Sequence, residues 1–334
     1  MPTITLRAIA RRRLLPLPSD PLLRVENVSK TFRTRGKKLR AVQNVSFTLE
    51  AGKTLGIVGE SGSGKSTLGR MVLRLLESDK GKIVFDGVDL TELKKNKLRA
   101  LRQDMQIIFQ DPRASLNPTM TVRDAIEDAM AIHEIGTKAS RRERVVELLE
   151  RVGLPYEVQF AYPHELSGGQ LQRVGIARAL SLNPKLIVCD EPVSALDVSI
   201  QVQVIQLLRD LQKEFNLAYI FISHNLAVVE YLSDEVAVLY LGEVVEQAPA
   251  DELFKKPTHP YTRVLLNSIL KIPDSPENRQ TMVSIQGEVP SPLNPPSGCA
   301  FHPRCSFATD ACKTVKPERK KVSEHHIAAC HLVQ

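Results

Sequence analysis

From residue 23 to about 111, short apolar runs alternate with glycine punctuation. The run "SFTLEAG" (46–52) alternates apolar and polar residues, as a strand with one buried face does. "TLGIVG" (54–59) is a compact buried strand, and the helix-spaced segment "STLGRMVLRLLES" (66–78) comes soon after it. "KIVFDG" (82–87) and "MQIIFQ" (105–110) read as further strands. Between about 119 and 185 the period lengthens. "TVRDAIEDAMAIHEI", "RRERVVELLERVG" and "GQLQRVGIARALSL" carry apolar residues three and four apart and predict helices. Strand patterns return in "KLIVCDEP" (185–192), "LAYIFISH" (217–224) and "EVAVLYLGEVVEQ" (235–247). Strands alternating with helices predict a parallel, helix-covered sheet, with the helical block as an inserted subdomain. After about 272 the chain turns Pro-rich and polar, which predicts a linker and an appended tail.

Composition narrows the class. The 334 residues are 43% hydrophobic and 25% charged, as in an ordinary globular protein. Apolar runs such as "LAYIFI" (217–222) fall far short of the roughly 20 residues that span a bilayer. The basic opening stretch, "MPTITLRAIARRRLLPLP", is too broken for a secretory signal and reads as an arm over residues 1–22. A cytoplasmic, thiol-reducing location follows as the expectation. The net charge of +7 sits in short clusters such as "RTRGKKLR" and "KKNKLR" and reads as solvated surface. With aromatic residues at 5% and no recognised reading motif, no nucleic-acid partner is expected.

Three segments carry chemistry. "GESGSGKS", spanning Gly59, Glu60, Ser61, Gly62, Ser63, Gly64, Lys65 and Ser66, fits the phosphate-loop pattern between a strand and a helix. Glycines there let backbone N–H groups crowd phosphate oxygens at a helix N-terminus. Lys65 can reach the β/γ-phosphates, and Ser66 can offer its hydroxyl to Mg²⁺. "LIVCDE" (186–191) is a buried strand ending in two acids. Asp190 suits Mg²⁺, and Glu191 suits polarising an attacking water. "LSGGQ" supplies a second helix N-terminus, in which Ser167 serves as N-cap and the glycine pair remains to be explained.

Together these segments resemble the ATP-binding-cassette (ABC) ATPases over about residues 23–255, and the family's motifs occur in its order. The resemblance implies a P-loop NTPase core of α/β class, with an antiparallel β subdomain, a helical subdomain at about 112–185 and a small C-terminal extension. The ATPase domain would span 23–271 and the extension 272–334. It assigns ATP contacts to Phe32, which stacks on adenine, to the phosphate loop through Thr67, and to Gln110. Mg²⁺ falls to Ser66, Gln110 and Asp190, and catalysis to Glu191 and His224. Ser167, Gly168, Gly169, Gln170 and Asp197 would meet the nucleotide of a partner cassette, because the family works as a head-to-tail pair and this chain holds one motif set. Asn225 departs from the Asp usual after the histidine.

The tail is more specific. "PTHPYTRVLL" (257–266) and "GEVPSPLNPPSGCAFHPRC" (287–305) resemble the C-terminal region of dipeptide and oligopeptide importer ATPases. Nickel and glutathione importers share the wider group. The resemblance implies ATP-driven uptake of peptides at the cytoplasmic face of the inner membrane. Its implied partners are a second, unlike ATPase, two permeases and an extracytoplasmic solute-binding protein. Four of the five cysteines, Cys299, Cys305, Cys312 and Cys330, lie in this tail. Their spacing is wide for a zinc knuckle but compatible with a [4Fe–4S] cluster, which the resemblance also favours; zinc and free thiols are the alternatives. Cys189, on the strand before Asp190, reads as a small core residue.

Overall fold

The computed structural model describes residues 20–34, 36–267 and 287–333. The expected N-terminal arm lies almost entirely outside the described residues, as does most of the Pro-rich linker. In chain order the strands are β1 (Leu23–Thr34), β2 (Lys37–Leu49), β3 (Thr54–Val58), β4 (Lys80–Phe85), β5 (Val88–Asp89), β6 (Met105–Ile108), β7 (Leu186–Asp190), β8 (Ala218–Ile222), β9 (Glu235–Tyr240), β10 (Glu243–Pro249), β11 (Lys320–Lys321) and β12 (Ile327–Ala328).

They form two sheets. An antiparallel sheet runs β2-β1-β4-β5, and the central sheet runs β11-β12-β10-β9-β3-β8-β7-β6. In the latter, β9, β3, β8, β7 and β6 pair in parallel. Strands β3, β7 and β8 are buried along their whole length, as sheet strands covered on both faces must be. One apolar core fills the space between the two sheets, where Val25 and Phe85 meet Ile57, Leu68, Met71 and Ile222. A second joins the other face of the central sheet to the helical block through Ile126, Leu148, Val174, Phe221 and Tyr240. The helices of that block are Val122–Ile132, Lys138–Arg151 and Gly168–Leu180, capped by Thr121, Thr137 and Ser167. Among the described residues no helix is long and apolar enough to cross a membrane.

Two features go beyond the sequence pattern. The run 235–247 folds as two strands joined in a hairpin. Leu241 and Gly242 take φ of 46° and 83°, and this left-handed pair turns β9 back into β10. The tail is also not a separate appendage, since β12 pairs with β10 and extends the central sheet. Beside that junction lies Glu246, fully buried on β10. It accepts from Thr258 N at 2.6 Å and His259 N at 3.0 Å, and pairs with His326 Nε2 at 2.7 Å. His326 also meets Glu252 at 3.0 Å. The two carboxylates hold the His326 pKa above its ordinary value, and burial works against them. A buried glutamate is costly unless it is paired in this way. The pairing locks the tail to the sheet.

Candidate nucleotide site

The phosphate loop joins the end of β3 to the helix Lys65–Val72. Its glycines are required by close approach. A Cβ on Gly64 (φ 103°) would sit 2.1 Å from the Ala41 carbonyl oxygen, and one on Gly59 (φ 149°) 2.2 Å from that of Leu239. Lys65 is buried, and its ammonium donates to the carbonyls of Gly59 (2.8 Å) and Glu60 (3.0 Å). Burial pulls its pKa down, while Glu191, Asp190 and Glu60 oppose the shift. Ser66 Oγ donates to Asp190 Oδ1 at 2.6 Å. Asp190 is buried at the tip of β7, and burial raises its pKa against the Ser66 hydrogen bond and nearby Arg70.

Glu191 follows in a left-handed backbone conformation (φ 49°), directly after the last residue of β7. That carboxylate accepts from Gln110 Nε2 at 3.0 Å and lies 3.3 Å from His224 Nδ1. Three residues from three separate segments therefore meet at one oxygen, Oε2. A cavity of about 530 Å³ opens there, lined by Phe32, Ser61, Gly62, Gly64, Lys65, Ser66, Thr67, Gln110, Glu191 and His224. Leu39, Ala41 and Pro292 complete its wall, and the sequence pattern had singled out none of the three. Gly59, Glu60, Ser63 and Asp190 are not part of the lining. Ser66 lines the cavity, Asp190 stands directly behind it through their hydrogen bond, and the two oxygen donors suit Mg²⁺ in chemical type.

The second predicted group stands apart from this cavity. Ser167 caps the helix Gly168–Leu180 in a reciprocal box with Gln170, at 3.3 and 3.0 Å. Ser167, Gly168 and Gly169 are not in the lining, and the first two are exposed. The glycine pair has a partly structural explanation. A Cβ on Gly169 would stand 2.7 Å from Ile200 Cγ2, so this position needs glycine to pack on the next helix. That helix, Val198–Phe215, is capped by Asp197, whose carboxylate accepts from Ile200 N. Asn225 likewise caps the helix Leu226–Leu232 through Ala227 N and Val228 N. Asn caps as well as Asp, so the departure costs the fold nothing.

The four tail cysteines converge. Cys299, Cys305, Cys312 and Cys330 line one small cavity with His259, His302 and His331. Burial raises the thiol pKa of Cys299 to about 11 and shifts Cys305 and Cys330 in the same direction. His259 is buried, and burial lowers its pKa to about 4. Its Nδ1 accepts from Tyr261 N at 3.0 Å, which leaves Nε2 as an N–H without a partner among the described residues. His302 and His331 each have a ring nitrogen on a carbonyl, Cys299 O and Val315 O respectively. Nevertheless the enclosed space is about 10 Å³, room for a single water. Among the described residues no three His, Cys, Asp or Glu side chains are arranged to hold a metal ion as they stand. Cys189 is buried on β7, as a core residue.

Comparison with known proteins identifies the family. The ABC transporter family model matches residues 42–194. The oligopeptide/dipeptide transporter C-terminal region matches 245–312. A putative peptide import ATP-binding protein of Brucella ovis is 52% identical over 314 residues, covering 94% of this chain and 98% of its own length. The oligopeptide transport ATP-binding protein AppF of Bacillus subtilis is 49% identical over 321 residues, covering 94% and 98%. Among solved structures, the dimeric ATP-binding cassette MJ0796 in a post-hydrolysis state with ADP and Pi superposes with a TM-score of 0.63. It is 30% identical and covers 68% of this chain and 98% of its own. The chain belongs to the ATP-hydrolysing subunits of ABC transporters, in the group that carries the oligopeptide/dipeptide transporter C-terminal region.

Proposed function

We propose that this chain is one of two unlike ATPase subunits of an importer for dipeptides or oligopeptides, bound to the cytoplasmic face of the inner membrane. Its partners are the second ATPase, two permeases and, indirectly, an extracytoplasmic solute-binding protein. One observation carries the reading. The cavity gathers the phosphate loop, Gln110, Glu191 and His224, yet the capped N-terminus at Ser167 contributes nothing to its wall. A head-to-tail pair would bring Ser167, Gly168, Gly169, Gln170 and Asp197 of each cassette to the other's nucleotide. The names of the relatives support peptides as the solute.

In this reading ATP is the substrate. Phe32 stacks on adenine, Lys65 and the loop amides hold the phosphates, and Ser66, Asp190 and Gln110 hold Mg²⁺, which supplies charge neutralisation there when bound. Glu191 orients and deprotonates the attacking water, and His224 holds the γ-phosphate and that water. Nucleotide binding closes the pair and hydrolysis reopens it, which is the stroke delivered to the permeases. The test is reconstitution with the neighbouring permeases, second ATPase and binding protein. Peptide-loaded binding protein should stimulate hydrolysis several-fold over the free chain. Stimulation by nickel or glutathione alone would change the solute. Full activity without any membrane partner would replace the importer by a soluble cassette.

The tail cysteines are proposed to hold a [4Fe–4S] cluster with a structural role. Their convergence on one cavity supports this, and its small volume requires the surrounding loops to part. Anaerobic purification of the full chain should give iron and acid-labile sulfide in equal amounts, with visible absorbance. Stoichiometric zinc, or colourless metal-free protein with four titratable tail thiols, would remove the cluster.

A further inference from the structure

Glu60, in the phosphate loop, is gripped from the far end of the chain. Arg304 donates to both of its carboxylate oxygens, at 2.7 and 2.9 Å, and the arginine side chain is only 5% exposed. The main chain of the same residue is held too. Its N–H donates to Tyr261 Oη at 2.9 Å, and its carbonyl accepts from Lys65 Nζ at 3.0 Å. Arg304 is itself fixed. It belongs to the turn 299–305, closed by His302 N to Cys299 O (3.0 Å) and Arg304 N to Phe301 O (3.0 Å). Phe301 anchors that turn against Tyr240 and Tyr261, with ring centroids 5.3 Å away in each case. All three rings are essentially buried.

This grip matters for an anion site. An unpaired carboxylate in a phosphate loop would repel the nucleotide. A two-point guanidinium contact cancels that charge and fixes the loop in one geometry. Because the arginine is shielded from water, the pair is not of the weak, fully solvated kind. The extension approaches the nucleotide site a second time through Pro292 in the cavity wall.

We infer that Arg304 is a positioning residue for ATP binding. Acting through Glu60, it holds the phosphate loop in its receptive form and makes the C-terminal extension part of the nucleotide site. The inference rests on the ATP reading given above. It is tested in the full-length chain by titrating Mg-ATP against the wild type, Arg304→Gln, Arg304→Lys, Glu60→Gln and the double variant Glu60→Gln/Arg304→Gln. Arg304→Gln should weaken binding about tenfold, the size expected for a lost charged hydrogen-bond pair. KM should rise with Kd, and kcat should change less than KM. Arg304→Lys should recover part of the loss. On the Glu60→Gln background, replacing Arg304 should add less than about twofold, because the two residues act as one unit. Should Arg304→Gln fail to fold, Arg304→Lys carries the test, with binding about threefold weaker expected from loss of the two-point contact. Unchanged Kd in the folded variants, or a lowered melting temperature with Kd intact, overturns the inference. A wild-type chain that does not bind Mg-ATP instead overturns the ATP reading beneath it.

Discussion

Glu191→Gln is expected to leave Mg-ATP binding within a few-fold of wild type while hydrolysis falls by about 10²- to 10⁴-fold, the range for removing a general base. The substitution is nearly isosteric, and glutamine retains an oxygen able to accept from Gln110 Nε2, now 3.0 Å from the carboxylate. What is lost is the negative charge beside His224, 3.3 Å away, and the ability to take a proton from water. The φ of 49° at this position does not depend on the charge, so the turn after β7 should survive. Binding without turnover should also trap the closed pair. Gel filtration of the assembled ATPases with Mg-ATP would show it as a persistent dimer, and phosphate release would give the rate. Hydrolysis near the wild-type rate would take Glu191 out of the catalytic role.

The parts of the site that could be read from sequence are those written in contiguous residues. The phosphate loop is legible because its glycines answer local crowding, and the acids Asp190 and Glu191 because a buried apolar run ends on them. His224 and Gln110 needed the family's order, since nothing in "ISHN" or "FQDP" alone says that their side chains meet Glu191. The grip on Glu60 was illegible. Glu60 and Arg304 lie 244 positions apart, and a single long-range ion pair leaves no periodicity. One signal did exist. Glu246 is a charge near the end of the strand-like run "EVAVLYLGEVVEQ", and a charge that a strand carries into the core demands buried partners. Those partners, the Thr258–His259 segment and His326, are the residues that fasten the tail to the sheet. The hairpin at Leu241–Gly242 is only weakly marked in the sequence. A two-residue turn between two strand-like runs brings no polar cluster of its own, and only the glycine marks it.

Lys65→Ala should act on binding and not on the chemical step. Its ammonium donates to two of the phosphate loop's own carbonyls, and Glu191, Asp190 and Glu60 all favour its charged form. Removing it leaves the carbonyl oxygens of Gly59 and Glu60 without the donor they share, beside a buried Asp190. A polyanionic substrate then enters a site whose charge balance has moved one unit toward negative. Loss of one charged contact of this kind is worth about 2–3 kcal/mol, or a roughly 30- to 150-fold weaker Kd. The small side chain should not disturb the helix Lys65–Val72, since alanine is the best helix former, and the melting temperature should hold. Isothermal titration with Mg-ATP reads the effect directly. Binding within threefold of wild type would mean that the loop's amides and the Mg²⁺ donors hold the nucleotide without the lysine. A lost melting transition would instead assign Lys65 to the fold, as the cross-brace between Gly59 and Glu60.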